Sequence, residues 1–567
     1  MLYAFQFCPN RKWGADMGIP ALICVLVGVA PSETLYNGIE LPKEWPPKRD
    51  KLAIVPATPP YLISPPEVIP IDVGRQLFVD DFLIEKTTLK RTCHAATYHP
   101  ASPVLSANKP WEKAGKWKTY MGPHAIPYSD GVWYDPKEKL FKMWYMAGTL
   151  YATAYATSKD GIHWNRPDLD VKPGTNITHT GNRDSCTIWL DLDEKDPDRR
   201  YKMFRFQKVP RRGLVIQFSS DGIHWGKEVR WAGPCNDRST VFYNPFRKVW
   251  VYSIKGVGEV VGAAKDERLR LYWEQSDLLA SPMWSKYSDP PLWVTTDRLD
   301  PHWPEPDIGP PKVYNLDAVA YESVMLGAFA ILETYYKGKQ PDRPKRNQLY
   351  IGFSRDGFHW HRPLRQPFVG HSDHRGDWNW GNIQSAGGVC LVVGDKLYFY
   401  VSGRAGQARL GPEKCHRGAD ASTGLAVLRR DGFASMDAGK NGGTLTTCKL
   451  RFKGRYLFLN VDAEDGELRV EVLDDEGQVV PGYSKADCQP VRADKTLVRV
   501  QWRGAEDLAS LAGRPVRLRF HLRNGRLYSF WVSPDESGAS HGYVAAGGPG
   551  FTGATDTVGS AACRNRD

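Results

Sequence analysis

The feature that most constrains this chain is a seven-residue turn that returns along it. Ser158-Lys159-Asp160-Gly161-Ile162-His163-Trp164 comes back as Ser219-Ser220-Asp221-Gly222-Ile223-His224-Trp225 and as Ser354-Arg355-Asp356-Gly357-Phe358-His359-Trp360. Two copies are decayed: Ser276-Asp277-Leu278 with Trp284 behind it, and Arg430-Asp431-Gly432-Phe433. The copies lie about 55 to 80 residues apart, the period of a propeller or a solenoid. The intact copies follow apolar strand-like runs, as in 150–156 and 348–353. Asp-Gly suits a tight hairpin turn, because Gly accepts positive φ and Asp bonds back to nearby amides. The Trp that follows gains a fixed place to pack on a neighbouring strand. The repeat therefore reads as structural, and it counts blades.

A second repeat runs out of phase with the first and carries chemistry. Asp130 opens the run 130–136, Arg183-Asp184 opens 183–191, and Asp237-Arg238 opens 237–245. Asp317 opens 317–323, which also holds Tyr321-Glu322, and in 381–387 Gln384 stands where the others have an acid. In a propeller the first strand of each blade lines the central channel, so these positions converge on one axial pocket. Clustered carboxylates repel and desolvate badly, which makes four acids and an amide on one axis a site rather than fold maintenance. The expected fold class is all-β: a five-bladed β-propeller followed by a C-terminal β-sandwich.

Residues 1–32 read as an export signal, with Arg11 and Lys12 ahead of an apolar run from Met17 to Ala30 and small residues at Ala30 and Ser32. The run is too short to span a bilayer, and it implies a secreted or periplasmic protein. Residues 33–85 form a Pro-rich extension ending in a strand at 76–84 that enters the first domain. Within that strand Asp80 and Asp81 are neighbours and so point to opposite faces. The propeller is expected over 86–435. Short period-2 strands over 440–540, with Arg523-Asn524-Gly525-Arg526 as a hairpin turn, argue for the sandwich. Residues 545–567, rich in Gly, Thr and Ala, read as a flexible tail.

The net charge of +11 is spread along the chain, without the Lys/Arg run interleaved with aromatics that a nucleic-acid stripe needs. It leaves an anionic glycan open as a partner. Ten cysteines show no CxxC pair and no zinc spacing. Cys186, Cys235 and Cys390 read as buried thiols, with disulfides open among Cys415, Cys448 and Cys488. The sequence implies a carbohydrate partner, no cofactor, no metal, no nucleic acid and no membrane beyond the export signal.

A five-bladed propeller with axial carboxylates and a C-terminal sandwich resembles the family-32 glycoside hydrolases (invertases, inulinases, levanases) and their family-43 and family-68 relatives. Ser129-Asp130-Gly131 stands where family 32 has an Asn-Asp-Pro-Asn block bearing its nucleophile. Arg183-Asp184-Ser185 stands where that family has Arg-Asp-Pro, whose Asp holds substrate hydroxyls. The family's acid/base Glu, in a Glu-Cys pair on the third blade, has Asp237 in its place, and Tyr321-Glu322-Ser323 offers a Glu one blade later. The resemblance implies a secreted glycoside hydrolase. Asp130 would be nucleophile or base, Asp184 the hydroxyl and transition-state binder, and Glu322 or Asp237 the general acid. Glycoside hydrolysis needs one ionised and one protonated carboxyl, and a crowd of acids keeps one of them neutral.

Arg183 and Arg238 beside these acids would hold ionised partners or an anionic substituent. Trp378 and Trp380 read as sugar-stacking residues at the rim, and His124, before the first inner strand, as a rim residue too. Three other readings stay open: a non-catalytic carbohydrate-binding propeller, a sialidase-like exo-glycosidase suggested by the Asp-Gly turns and Tyr321-Glu322, and a phosphorylase using Arg183 and Arg238.

Overall fold

The computed structural model describes residues 33–49, 55–115, 122–181, 183–257, 268–280, 283–301, 311–333, 346–406 and 420–563. The expected export signal and Cys415 lie outside them. Five antiparallel blades follow one another. Blade I runs Ala125–Asp135, Leu140–Ala147, Ala152–Ser158, Ile177–Thr180, and blade II Cys186–Leu190, Tyr201–Gln207, Gly213–Ser219, Arg230–Gly233. Blade III is Thr240–Asn244, Val249–Val257, Arg268–Gln275, Leu292–Val294. Blade IV has Lys312–Glu322, Val324–Leu332 and Asn347–Ser354, with Val369 bridged to Leu349 at its edge. Blade V has Asn382–Ser385, Lys396–Arg404 and Ala421–Arg429, and its outer strand, Thr97–Tyr98, comes from the far side of the sequence to pair with Ala426 and Val427. Each acid-bearing run identified in the sequence is, or leads into, the first strand of its blade.

The repeated turn fastens blade to blade. In each intact copy the Asp Oδ1 accepts the amides two and three residues on, at 2.7–2.9 Å, and the motif His donates Nδ1–H to Oδ2 at 2.7 Å. That ties up the carboxylate and leaves the turn's carbonyls facing the preceding blade. Trp144 of blade I donates to Gly222 O at 2.7 Å, Trp293 of blade III to Phe358 O at 2.8 Å, and Tyr400 of blade V to Gly161 O at 2.5 Å. The last of these joins the end of the ring to its beginning. The glycine is required twice over at Gly222: φ is +79°, and a Cβ would fall 2.5 Å from the Trp144 ring.

Two further sheets enclose a second hydrophobic cluster, in which Phe78, Phe520 and Phe530 meet at ring distances of 5.4–6.3 Å. One sheet orders Asp494–Arg499, Tyr456–Asp462, Gly525–Ser533, Ala434–Ala438 and Lys90–Cys93; the other orders Glu467–Leu473, Arg517–Arg523, Gly443–Thr447 and Ile84–Thr87. The strand at 76–84 was expected to enter the propeller. Instead Gln76–Leu77 pairs with Phe530 and Ser529, and Ile84–Thr87 and Lys90–Cys93 join these C-terminal sheets. Residues 86–93 therefore belong with residues 434–533 rather than with the propeller, because they supply edge strands that the C-terminal sheets lack. Asp80 and Asp81 do diverge: Asp80 is buried against Arg355 of the blade IV turn, and Asp81 is exposed.

Asn524-Gly525 is not a hairpin turn. The strands on either side belong to different sheets, so the positive φ of Asn524 (48°) carries the chain around a corner between them. The tail is not a loose coil either. Tyr543–Val544 pairs with Glu322 and Tyr321, Ala546 O accepts from Tyr134 N, and Gly547 O accepts from Val392 N. Small residues allow this backbone to lie in the ring's base: Gly548 packs on the Val392 carbonyl, where a side chain would overlap it. Phe551 and Ala562 are buried there. Cys186, Cys235, Cys390 and Cys488 are buried free thiols, and Cys448 is free and half-buried.

Candidate active site

Blade I bends to build the site. The register of Ala125–Asp135 against its neighbour slips between Ile126 and Gly131, and Tyr128 within the slip has φ +58°. A bulge of this kind re-aims side chains; here it turns Ser129 and Asp130 toward the axis. Arg238 of blade III also has positive φ (+63°). Two bulky residues in a conformation that costs of order 1–3 kcal/mol each mark a place the surroundings over-determine, as active sites often are.

From there a polar network crosses the ring. Arg183 grips Asp130 through both guanidinium ends, at 2.5 and 2.7 Å. Arg238, stacked on the Tyr128 ring at 3.7 Å, donates to Asn315 Oδ1 at 2.9 Å and Ser129 Oγ at 3.3 Å. Asp317 accepts from Asn315 at 2.9 Å, from Ser129 at 3.1 Å, and from Ser385 of blade V. Arg270 donates to the carbonyls of Arg238 and Tyr314. Lys255 pairs with Asp237.

Burial separates the four axial acids into two kinds. Asp130 and Asp317 are enclosed, while Asp184 is half-buried and the Asp237 carboxylate is 37% exposed. Burial pushes Asp130 up to about 6 although the Arg183 charge pulls it down. The same pairing raises Arg183 against its own burial, so the contact favours the charged form of both partners. Asp184 is raised by burial first and by the Asp237 charge second, against Arg238, Lys255 and Arg183. Asp317 is raised by burial against its hydrogen bonds from Ser385 and Ser129.

The arrangement corrects several expectations. Asp130, expected as nucleophile or base, has no exposed surface, and both its oxygens are held by Arg183. Glu322, expected as a general acid, lies five residues beyond Asp317 on an extended strand, about 17 Å away along it at ~3.4 Å per residue. It sits at the base, fully buried, accepting from Arg75 N at 3.1 Å, Ser540 Oγ at 2.7 Å and Arg430 Nη2 at 3.1 Å. Tyr321, expected to bind substrate, donates to Asp431 in the same buried network. Arg430 and Asp431 there are the decayed turn copy, which has become a joint between the propeller, the C-terminal sheets and the tail. Trp378 is no stacking platform, since its ring packs on Gly403 and Gly424 of blade V and edge-on against Tyr98 at 5.4 Å. His124 is wholly buried; Arg404 donates to its Nε2 at 3.0 Å, so Nδ1 carries the proton and faces Gly122 O at 3.0 Å.

Trp380 is half-buried, beneath the Arg375 guanidinium at 5.8 Å. Gln384 is buried and donates to Asn382 at 2.7 Å. The residues that sequence reasoning missed are Tyr128, Ser129, Asn315 and Ser385, and the cations Lys255, Arg270 and Arg404. The one available signal was charge at alternate positions inside strand-like runs, as in Arg268-Leu269-Arg270. Among the described residues no group of three or more His, Cys, Asp or Glu is arranged to hold a metal ion.

No family model matches the sequence, and no curated protein matches it. Solved structures do. A protein of the GH130 family of mannoside phosphorylases, which contains glycoside hydrolases that target β-1,2 mannosidic linkages in Candida mannan, is 14% identical at TM-score 0.37, over 61% of this chain and 97% of its own. A thermostable family-43 glycoside hydrolase is 10% identical at TM-score 0.36, over 56% and 96%. The Bombyx mori GH32 β-fructofuranosidase is 11% identical at TM-score 0.35, over 77% and 95%.

Proposed function

We propose that this protein is a glycoside hydrolase whose reacting acids are Asp184 and Asp237 at the mouth of the axial channel. The observation that carries this reading is their unequal setting. Asp184 is raised by burial and by its neighbour's charge, which suits it to the proton-donating role, and Asp237, more exposed and paired with the Lys255 ammonium, is assigned the ionised one. Cleavage needs that division: the protonated carboxyl gives its proton to the leaving oxygen while the ionised one serves the anomeric carbon, directly or through a water. Both remain open to a ligand, unlike Asp130 and Asp317, which position the floor beneath them. Arg183 and Arg238 offset the repulsion among the acids, since both lower Asp130 and Asp184 against the charges of the neighbouring carboxylates.

The test is reducing-sugar release from a broad glycan panel by wild type, Asp184→Asn and Asp237→Asn, with Glu322→Gln as control. Loss of about 10²–10⁴-fold in both aspartate variants, the range for losing a general acid or base, with the control active, is the expected result. Full activity in either aspartate variant would refute the assignment. Retained glycan binding with no cleavage by wild type on any glycan would favour a binding propeller instead.

A further inference from the structure

We propose that the base of the propeller binds a substituted ammonium ion, in the cavity where Trp133, Trp189, Tyr243 and Tyr543 meet Asp193. The inner strands that carry or follow the axial acids Asp130, Asp184 and Asp237 each bring one ring further on: Trp133 on Ala125–Asp135, Trp189 on Cys186–Leu190 and Tyr243 on Thr240–Asn244. Tyr543 comes from the tail. Its backbone closes this side of the ring, with Ala545 N donating to Ala320 O at 3.2 Å and Tyr134 N to Ala546 O at 2.9 Å. The cavity is about 50 Å³ and shares no lining residue with the axial acids.

The wall selects the ligand class. Besides the four rings, the described lining holds two carboxylates, Asp191 and Asp193; the rest is aliphatic, Pro or Gly, with no Lys, Arg or His. Asp191 is taken: it pairs with Lys202 at 2.9 Å and accepts from Asp193 N at 3.1 Å. The Asp193 carboxylate has no hydrogen bond or ion pair among the described residues, and the Tyr243 and Tyr543 hydroxyls have no hydrogen bond either. These groups act on one another. Burial and then the Asp191 and Asp193 charges push Tyr243 up to about 12, and burial with Asp193 raises Tyr543. Burial and Asp191 raise Asp193 in turn, against the Lys195 charge on the same loop.

An anion would meet two like charges there with no lining cation to receive it. At ~10–15 Å³ per water, about 50 Å³ holds roughly three to five waters, room for an ammonium head group but not for a sugar ring. A metal ion would find too few ligands, since no group of three His, Cys, Asp or Glu among the described residues is placed to hold one. An ammonium with small apolar substituents suits both parts of the wall. Aromatic rings attract the charge and shelter the substituents from water, and Asp193 supplies the opposite charge.

The test uses the full chain and two probes of similar size, tetramethylammonium and the uncharged tert-butanol, titrated by calorimetry at constant ionic strength. One saturable site at least tenfold tighter for tetramethylammonium than for tert-butanol is the expected result. Asp193→Asn, at the exposed rim of the cavity, should weaken the cation about tenfold and leave tert-butanol unchanged. Tyr243→Leu, which keeps an apolar side chain but not the ring, should weaken the cation by a similar factor if it folds; Asp193, nearer the solvent, keeps the test decisive if it does not. Asp184→Asn should bind tetramethylammonium as wild type does. Absence of saturable binding, equal affinity for the two probes, or unchanged cation affinity in Asp193→Asn overturns the proposal. Loss of the cation in Asp184→Asn overturns it too, by moving the site to the axial acids at the other end of the channel.

Discussion

Gly222→Ala tests whether the repeated turn holds the ring together. Two costs add at this position. The backbone is left-handed, with φ +79°, and a residue with a Cβ loses roughly 1–2 kcal/mol there. The new methyl would also lie 2.5 Å from Trp144 Cζ2 and 3.0 Å from Tyr201 Cδ1. Trp144 cannot retreat, because it is fully buried and its Nε1 is bonded to Gly222 O at 2.7 Å; overpacking of this kind costs about 1–3 kcal/mol. The sum is roughly 2–5 kcal/mol. Gly174→Ala is the matched control, with φ again +79° but nothing within 4 Å of the added carbon, so only the backbone cost applies. Urea unfolding followed by tryptophan fluorescence should place Gly222→Ala below Gly174→Ala by the packing share alone, about 1–3 kcal/mol. Equal midpoints would mean that the turn and the Trp144 ring do not clasp, and the account of blade-to-blade fastening would be wrong.

Glu322→Gln should leave kcat within about twofold of wild type while lowering the unfolding midpoint, since the residue serves the buried joint at the base; a large loss of kcat in folded protein would return it to the reaction. For Asp130, burial raises the folded-state value from 3.8 to about 6, so the folded protein holds the proton more tightly than the unfolded chain. Its contribution is present below about pH 4 and falls away as pH climbs to about 6, a span of roughly 3 kcal/mol. Urea midpoints at pH 4.5 and 7 should differ in that sense, and Asp130→Asn should flatten the difference. Because Asp184 is raised, kcat/KM should fall on the alkaline side with an apparent pKa above that of an ordinary aspartate; a profile flat from pH 4 to 8 would contradict its role as the acid. Phe551→Ala, which empties a buried position in the tail, should cost about 3–5 kcal/mol in the same unfolding assay, whereas a tail that merely rests on the base would show almost none.

The all-β class, the number of blades and the identity of the inner strands were legible because they rest on local signals. Asp-Gly at a turn, alternation along a strand and a Trp at fixed offset each express a preference of a few neighbouring residues, and the repeat multiplies that preference five times. The axial acids were legible for the same reason, since a repeat places equivalent positions on one axis without any need to know the packing.

Which acid does what was not legible. Asp130, Asp184, Asp237 and Asp317 look alike along the chain, and only burial and partners across the ring tell them apart: Arg183 closes on Asp130, Ser129 and Ser385 on Asp317, Lys255 on Asp237. Glu322 looked like the missing acid because adjacency in sequence hides the length of its strand, which carries it to the opposite end of the channel. The tail and residues 76–93 were misjudged for a related reason. Small or Pro-rich segments carry little structure of their own, and their place is decided by backbone groups hundreds of residues away: the Tyr134 and Val392 amides for the tail, and the open sheet edges at Leu445–Thr447 and Ala434–Asp437 for residues 84–93. By itself the sequence determined a repeating β architecture and an acid-lined axis, because short-range preferences add up along a repeat. Tertiary structure alone decided the exposure and partners of each acid, the setting of Arg238 and the place of the tail at the base, because those depend on charges and hydrogen bonds between residues that meet only once the chain has folded.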